Sequence, residues 1–446
     1  MAALGRRRLR ELRVAVVVAS TLAVGISGAL GYVYLHLNAN IKTFSEVGVS
    51  RSRPPEATPA TTAPGQPAAQ PPINLLLIGS DTRAGGNVSL GGGFAVEGAR
   101  SDTTILLHVS GDRKHAVGVS IPRDALVDVP ACYANGGWLP AQTDVMFNSA
   151  FSEGNLPTGN PICTQNTVEA MSGIRIDHTM VIDFSGFAAM SRAVGGVTVC
   201  VPAVNSTYLE HAYGVTLDPG VQNLSGQAAV EYVRAREGFG DNSDIGRMKR
   251  QQAFLSALMK KMLDSGTLDN PVALYQLADA ATKSLTVDSS LDSVSSLVSL
   301  GVQLKTVPLY NLEFVTTPWS YDGARVDLIQ PDTDVLWSLL REDRTLEGQD
   351  ASGGASATSG PTGSASAAPT ASPGPSAASE RMRLMALGEA GPSSSASTGT
   401  SPSAVASDEA SAAGTTAGTP TPVPSGITQN IRRADSDPCS DLSYGN

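Results

Sequence analysis

The apolar pattern changes character along the chain. Val14 to Leu37 is a run of mostly Val, Ala, Leu, Ile, Gly and Tyr without a charged residue. Its roughly 24 residues, rising about 1.5 Å each as a helix, can cross a hydrocarbon core of about 30 Å. Ile73 to Ile78 is a shorter apolar run with one polar break, bounded by Gly79, the pattern of a strand buried on both faces. Thr103 to Val109 and Ala116 to Ile121 repeat it, and Val197 to Val201 predicts a further strand. Helical spacing marks Gln165 to Ser172, Phe184 to Val194 and Ser225 to Arg236. Asp244 to Leu263 predicts a long amphipathic helix with Ile245, Met248, Leu255, Leu258 and Met262 on its apolar stripe. A helical region over about Pro271 to Gln303, a strand pair near Lys305 to Thr316 and a closing helix near Asp332 to Arg341 follow. Alternating strands and helices predict an α/β fold, a three-layer α/β/α sandwich with a central, mostly buried sheet.

Composition divides the chain further. Arg6, Arg7, Arg8, Arg10 and Arg13 make residues 1–13 a basic, cytoplasmic N-terminus, with 14–37 the transmembrane anchor and everything after it outside. The expected location is the cell membrane, single-pass and type II, with an extracytoplasmic domain; a signal peptide cleaved near Ser27 or Ala29 is the alternative. Residues 38–72, Pro/Ala/Thr-rich beyond about Ser50, read as an extended spacer that holds the domain away from the bilayer. The folded domain occupies 73–347, and 348–425 is Ser/Ala/Thr/Gly/Pro sequence too poor in apolar side chains to offset its conformational entropy, hence a disordered C-terminal linker. Residues 426–446 regain ordinary composition and can dock.

A net charge of −10 argues against nucleic acid as a partner, since phosphate-backbone binding needs a basic excess. The four cysteines lie beyond the apolar span, and an even count in an exported chain favours disulfides. Cys132 with Cys163 is the favoured pair because both flank one loop-rich insertion; Cys200 with Cys439 would then fasten the C-terminus to the domain, with two free thiols as the alternative.

The charges gather at the ends of the buried strands. Asp81 stands where the first strand meets a glycine-rich loop, and Asp102, beside Arg100, where the next begins. Two carboxylates at neighbouring strand ends suit a divalent cation such as Mg²⁺ that also takes phosphate oxygens; pairing with adjacent Arg is the alternative. Arg123 follows a strand in Ile121-Pro122-Arg123-Asp124. Arg234 and Arg236 share a face only if extended, whereas Arg247 and Gln251 share a helix face one turn from Asp244. Such guanidinium groups can grip pyrophosphate or serve as solvated surface pairs. The five histidines show no metal spacing, and no GxSxG, HExxH or Walker loop is present.

Taken in order, these segments resemble the LytR-CpsA-Psr family of bacterial envelope proteins. The resemblance rests on Asn74-Leu-Leu-Leu-Ile-Gly-Ser-Asp81, Arg100-Ser-Asp-Thr-Thr104, Val119-Ser-Ile-Pro-Arg-Asp124, Asn148-Ser-Ala-Phe151, Glu231-Tyr-Val-Arg-Ala-Arg236 and Asp244-Ile-Gly-Arg-Met-Lys-Arg-Gln-Gln252. It implies a phosphotransferase that moves a glycopolymer from a polyprenyl-pyrophosphate carrier to a peptidoglycan hydroxyl, the muramic acid 6-OH, releasing polyprenyl phosphate. A hydrophobic tunnel for the polyprenyl chain is also implied. By the same resemblance Asp81 and Asp102 would hold Mg²⁺ (or Mn²⁺). Arg100, Arg123, Arg234, Arg236, Arg247 and Gln251 would bind pyrophosphate, Asp244 would orient the arginines, and Asp102, with Arg100 and Arg123, would be catalytic. Asp102 is also the candidate base. The alternatives are a polyprenyl-pyrophosphate phosphatase and a non-catalytic carrier-lipid-binding protein. Departures from the family pattern are the glycine-rich insertion Ala84 to Ala99, Met146 and Phe147 before Asn148, and Glu237.

Overall fold

The computed structural model describes residues 2–60, 68–82, 99–153, 159–264, 270–352, 423–428 and 430–440, with the backbone alone for 2–14 and 264. In chain order, α1 (Ala2–Asn40) leads into β1 (Lys42–Thr43), β2 (Ile73–Ser80), β3 (Ser101–Val109) and β4 (Ala116–Ser120). Two small hairpins, Leu126–Val129 with Gln142–Met146 and Cys132–Ala134 with Gly137–Leu139, precede α2 (Pro161–Ser172), β5 (His178–Asp183) and α3 (Phe184–Ala193). Then come β6 (Val197–Val201), α4 (Ser206–Tyr213), β7 (Gly220–Leu224), α5 (Gln227–Arg234), α6 (Asp244–Asp264) and α7 (Pro271–Ser284). The domain finishes with β8 (Leu285–Val287), α8 (Val294–Lys305), β9 (Leu312–Thr316), a hairpin Trp319–Asp322 with Arg325–Leu328, α9 (Asp332–Arg341) and, near the C-terminus, β10 (Arg432–Arg433).

The sheet runs β1-β8-β5-β2-β3-β4-β9-β10 and is mixed, parallel at β1/β8, β5/β2 and β4/β9 and antiparallel at the other pairings. Its centre is buried on both faces because successive side chains point to opposite sides. Leu76 and Ile78 of β2, Leu106 of β3 and Val315 of β9 join one core with Trp337 of α9 and Phe151. Leu75, Leu107 and Phe314, their chain neighbours or next neighbours, join a second core with Leu291 and Leu300 of the α8 layer. That two-sided burial is why β2 reads as a continuous apolar run. Gly118 in β4 leaves room for Phe314, whose ring would lie 2.6 Å from a Cβ placed there. A third cluster sets the ribbon β6/β7, through Val197, Val199 and Val201, against Tyr232 of α5 and Phe254 and Leu258 of α6.

Three expectations need correction. The helical region after Pro271 is two helices separated by β8, whose three residues pair with β5 and extend the sheet. The strand pair expected near Lys305 to Thr316 is the end of α8 followed by one strand, β9, which pairs with β4 and β10; the antiparallel hairpin comes later, at Trp319. The spacer does not stand clear of the domain. Its β1 joins the sheet edge, Asn166 Oδ1 accepts from the Ser50 backbone at 3.0 Å, and Arg53 makes a bidentate bond to buried Glu169, with Nε 3.1 and 3.0 Å from its two oxygens. Composition registers the missing apolar side chains but not ion pairs to residues more than a hundred positions away.

Both expected disulfides are present, Cys132–Cys163 and Cys200–Cys439. The second brings the C-terminus back to the domain, where β10 pairs with β9 and Ile427 enters the first core. The low-complexity segment lies outside the described residues over 353–422, as does the glycine-rich insertion over 83–98.

Within Ala15–Asn40 of α1 an 18-residue window reaches a mean hydropathy of 1.9, and the stretch is long enough to cross a membrane. Its last turns dock on the domain: His36 Nε2 lies 3.0 Å from Asp279 Oδ1, Asn40 donates to Asp279 and Thr282 at 3.2 Å each, and Asn38 Oδ1 accepts from the Val294 backbone at 3.2 Å.

Candidate functional site

One end of the sheet gathers the charged residues. There β2 ends at Ser80 opposite Ser101 of β3, but Gly79 pairs with Thr103, so Asp102 is the extra residue of a β-bulge. Bulges re-aim side chains and interrupt pairing, and here the bulge leaves Asp102 free to turn toward its charged neighbours. The Asp81 backbone donates to the Arg100 carbonyl at 3.0 Å, and the Arg100 backbone returns a bond to Asp81 Oδ1. Arg100 joins the site through that backbone clamp, while the residue as a whole is exposed.

Beyond β4, Ile121 keeps one bond to the Thr104 carbonyl before Pro122 ends the ladder, and the Arg123 carbonyl is pinned by the Asn148 backbone at 3.0 Å. Phe147, where the sequence departs from the family pattern, is fully buried in the first core and fixes that support. Arg123 Nη1 bonds Asp102 Oδ1, and Arg123 Nε lies 3.2 Å from Asp244 Oδ1 and 3.5 Å from Asp124 Oδ2. From the start of α6, Arg247 Nη2 lies 2.8 Å from Asp244 Oδ1 and donates to the Asp102 carbonyl at 3.1 Å, while Nη1 lies 3.7 Å from Asp102 Oδ1. The side chains of Arg247 and Asp102 are only 2% and 13% exposed. Asp244 thus orients both arginines, one of them its i+3 neighbour.

Burial and charge oppose each other in this cluster. Burial disfavours the Asp102 carboxylate, but Arg247, Arg123 and Arg234 outweigh it and hold that carboxyl below its usual range. Burial prevails at Asp244, whose carboxyl is raised despite Arg247 and Arg123. Burial also lowers Arg247, whereas Asp102, Asp244 and Asp124 overcome it at Arg123 and raise that guanidinium. Asp102 is therefore a firmly ionised carboxylate and a weak proton acceptor, which counts against its role as base.

Arg234, the last residue of α5, has its guanidinium carbon 5.1 Å from the Phe184 ring centroid and 5.8 Å from that of Tyr213, with Glu231 Oε2 3.5 Å away. Arg236 lies past the helix end and is exposed, so the two arginines do not form a single strand face. Gln251 is not brought into the cluster, since its amide donates to the Val233 carbonyl at 3.0 Å and ties α6 to α5. Arg250, quoted in the sequence motif but given no role, is fully buried and bonds the Tyr232 and Ala235 carbonyls, so it holds the end of α5 that carries Arg234. Gln252 does the same for the sheet, donating to Ser120 at 2.9 Å and Thr316 at 3.1 Å. An Arg and a Gln inside a polar helix motif give no sequence signal that separates these bracing roles from ligand contact.

Glu231, on the same helix as Arg234, carries no sequence signal that sets it apart from a solvated helix residue. It is 1% exposed, and burial, only partly offset by Arg234, raises its carboxyl to about 7 from 4.5. Because the folded value lies above the unfolded one, its contribution to stability is full below pH 4.5 and is lost as pH rises through about 7. Across that window wild type should lose about 3 kcal/mol that a Glu231→Gln variant retains. Denaturant melts of both proteins at pH 5 and pH 8 check it, and parallel losses would contradict it.

Among the described residues no group of three or more His, Cys, Asp or Glu is placed to hold a metal ion. Asp81 and Asp102, at adjoining strand ends, supply two hard oxygen donors, a set that fits Mg²⁺ or Mn²⁺ when phosphate oxygens complete the shell. On the cationic side Arg123 and Arg247 flank them, each ion-paired to Asp244, with Arg247 Nε buried and making no hydrogen bond. Beside Asp81 opens a cavity of about 700 Å³ lined by Ser80, Thr82, Tyr133, Asp183, Ser185 and Lys283, among others. Its hydroxyls, carboxylate, ammonium and one phenol ring are groups that bind sugars. It opens at the sheet end where Ser80 and Thr82 flank Asp81.

Residues 33–338 match the sequence profile of the LytR_cpsA_psr family. The chain is 32% identical over 277 residues to the cell wall biosynthesis protein LcpA of Corynebacterium glutamicum, covering 57% of this chain and 52% of the relative. It is 36% identical over 264 residues to LcpB of the same species, covering 57% and 58%. The chain therefore spans just over half the length of these two relatives. The polyisoprenyl-teichoic acid–peptidoglycan teichoic acid transferase TagT of Bacillus subtilis is 28% identical over 344 residues, covering 76% of this chain and 96% of the relative. With the profile match extending from the end of α1 into α9, the chain belongs to the LytR-CpsA-Psr family.

Proposed function

We propose that this protein is a membrane-anchored, extracytoplasmic phosphotransferase that moves a glycopolymer from a polyprenyl-pyrophosphate carrier to a peptidoglycan hydroxyl, the muramic acid 6-OH, and releases polyprenyl phosphate. The observation that carries the reading is the interlocked Asp102–Arg123–Asp244–Arg247 cluster at a sheet end, adjoining a polar cavity. A structural ion-pair cluster alone would not need Asp81 presented beside it at the mouth of a sugar-sized groove. The names of TagT and LcpA, a transferase of a wall polymer and a wall-biosynthesis protein, support the substrate class.

In this reading the acceptor oxygen attacks the glycan-side phosphorus, the bond from that phosphorus to the bridging oxygen breaks, and the lipid leaves as a monophosphate. The acceptor's proton leaves with solvent or a phosphate oxygen, since Asp102 is a weak acceptor. Arg123 and Arg247, held in place by Asp244, neutralise charge on the non-bridging oxygens, and Arg234, stacked between Phe184 and Tyr213, fixes the second phosphate. Asp81 and Asp102 would hold Mg²⁺ or Mn²⁺, which when bound supplies Lewis-acid stabilisation of the transferring phosphoryl group. Because the arginines are already ion-paired, little reorganisation accompanies binding.

Full-length protein in detergent, given a synthetic polyprenyl-pyrophosphate glycan and Mg²⁺, should release polyprenyl phosphate at least about a hundredfold faster when a peptidoglycan oligomer is added, as expected when a positioned acceptor replaces water. Equal release with and without acceptor would make the protein a phosphatase, and tight lipid binding without release would make it a carrier-binding protein. Chelation should remove the release, and Asp81→Ala should raise the Mg²⁺ concentration needed for half-maximal rate.

A further inference from the structure

The first turns of α7 are apolar and unpartnered. In Pro271-Val272-Ala273-Leu274-Tyr275, the side chains of Val272, Leu274 and Tyr275 are 65%, 42% and 37% exposed, although they open a helix whose later Leu277 packs into a core. Isolated exposed apolar residues are ordinary, but three within four positions at one helix end form a patch that monomeric surfaces avoid.

The position of this patch relative to α1 says what covers it. Asp279 bonds both His36 and Asn40, whereas Thr282, one turn further along α7, bonds Asn40 alone. The two helices therefore advance in the same direction where they touch. Moving back from Asp279, Tyr275 lies one turn earlier and Val272 two turns earlier, roughly 6 and 10 Å along the axis. The same distance back along α1 from His36 reaches Tyr32 and the residues before it, whose side chains are exposed and apolar. The patch thus runs alongside the apolar span instead of standing beyond its end. Tyr32, Tyr34 and Tyr275 then share one level, the amphipathic aromatic placement of a membrane–water interface.

We propose that the N-terminal turns of α7 insert into the interfacial layer of the same bilayer that α1 crosses, so that the domain rests on the membrane at two points. The proposal depends on α1 being the membrane anchor. Its consequence is orientation. Ser284, at the end of α7, packs against Gly186 next to Asp183, and Asp183 pairs with Ser80, one residue from Asp81. The cation-binding end of the sheet is therefore the end nearest the α1 exit, and a second membrane contact would keep it turned toward the surface where a carrier lipid's pyrophosphate sits. A single tether would let the domain swing.

The test is photo-crosslinking of the full chain reconstituted in vesicles of phosphatidylethanolamine and phosphatidylglycerol containing a lipid with a diazirine in its acyl chain. Adducts are mapped by mass spectrometry in wild type and in a Leu274→Glu/Tyr275→Ser variant. We expect adducts on α1 and on residues 271–276, with the latter at least about tenfold fewer in the variant, which loses two apolar side chains, and the α1 adducts unchanged. Adducts on α1 alone, or on α1 and the exposed Val298 and Val302 of α8, would overturn the docking while leaving the anchor intact. Absence of adducts on α1 would remove the anchor reading itself, and the docking with it.

Discussion

Replacing Arg123 with Ala should lower turnover about a thousandfold, the scale of losing a preorganised cation at a transferring phosphoryl group. The effect is large because Arg123 is the residue on which the site converges. It touches Asp102, Asp244 and Asp124 and projects from a loop locked by bonds to Thr104 and Asn148 through its neighbours and its own carbonyl. Arg123→Lys should recover only part of the rate, because an ammonium reproduces the charge but not the fork that meets two carboxylates at once. Removing the guanidinium also leaves Arg247 as the one arginine opposing burial at Asp244, so that carboxyl, already raised, should take up a proton more readily still. Initial rates of polyprenyl phosphate release, with a thermal melt of each variant, separate a catalytic loss from unfolding. A loss of less than tenfold in a folded Arg123→Ala protein would show that the cluster is architectural.

The double variant Cys200→Ser/Cys439→Ser should be the most damaging change away from the site. The bond closes a loop of 239 residues, and the chain-entropy account gives such a closure about 5 kcal/mol at most. What it retains is specific. Without it, β10 would be held to β9 by a two-residue pairing and the Arg433–Glu313 ion pair, and the tail by Ile427 and Ala434 in the first and second cores. Release of the tail would uncover β9, an apolar strand that would then become a sheet edge. Limited proteolysis should therefore cut between residues 423 and 440 in the variant and not in oxidised wild type, with the denaturant midpoint lowered. Identical cleavage patterns would mean that the tail docks without its covalent tie.

Both predictions draw on features that differ in how plainly the sequence shows them. The strands β2, β3 and β4 were legible because two-sided burial writes an uninterrupted apolar run, and α6 was legible because one-sided burial writes a 3.6-residue stripe. The short edge strands were not. In β1 and β8, two and three residues long, backbone pairing does the work and side-chain pattern has no room to register. The docking of the spacer was hidden for a related reason, since Arg53 meets Glu169 across the fold and neither residue is unusual in its own neighbourhood.

At the site, the positions of Asp81, Asp102, Arg123, Asp244 and Arg247 followed from charges placed at strand and helix ends, and the structure brings Asp102, Arg123, Asp244 and Arg247 into one network. Chemistry within the site was less accessible. Whether Gln251 turns to a phosphate or to the Val233 carbonyl depends on how α6 lies on α5. Glu231 looks like any polar helix residue until the packing of α5 buries it. The weak basicity of Asp102 is a sum over three arginines from three separate segments, a quantity that no local spacing contains.

Transfer of a glycan phosphate to a wall hydroxyl at this sheet end leaves a covalent product that hydrolysis and mere binding do not. The most direct measurement is mass spectrometry of the products formed by full-length protein from a defined polyprenyl-pyrophosphate glycan and a peptidoglycan oligomer, with Asp102→Asn in parallel. The expected product is a phosphodiester-linked glycan–peptidoglycan adduct, made by wild type and absent with Asp102→Asn, in equal amount to the polyprenyl phosphate released. Polyprenyl phosphate accompanied by free glycan phosphate and no adduct, or an adduct made equally well by Asp102→Asn, would contradict it.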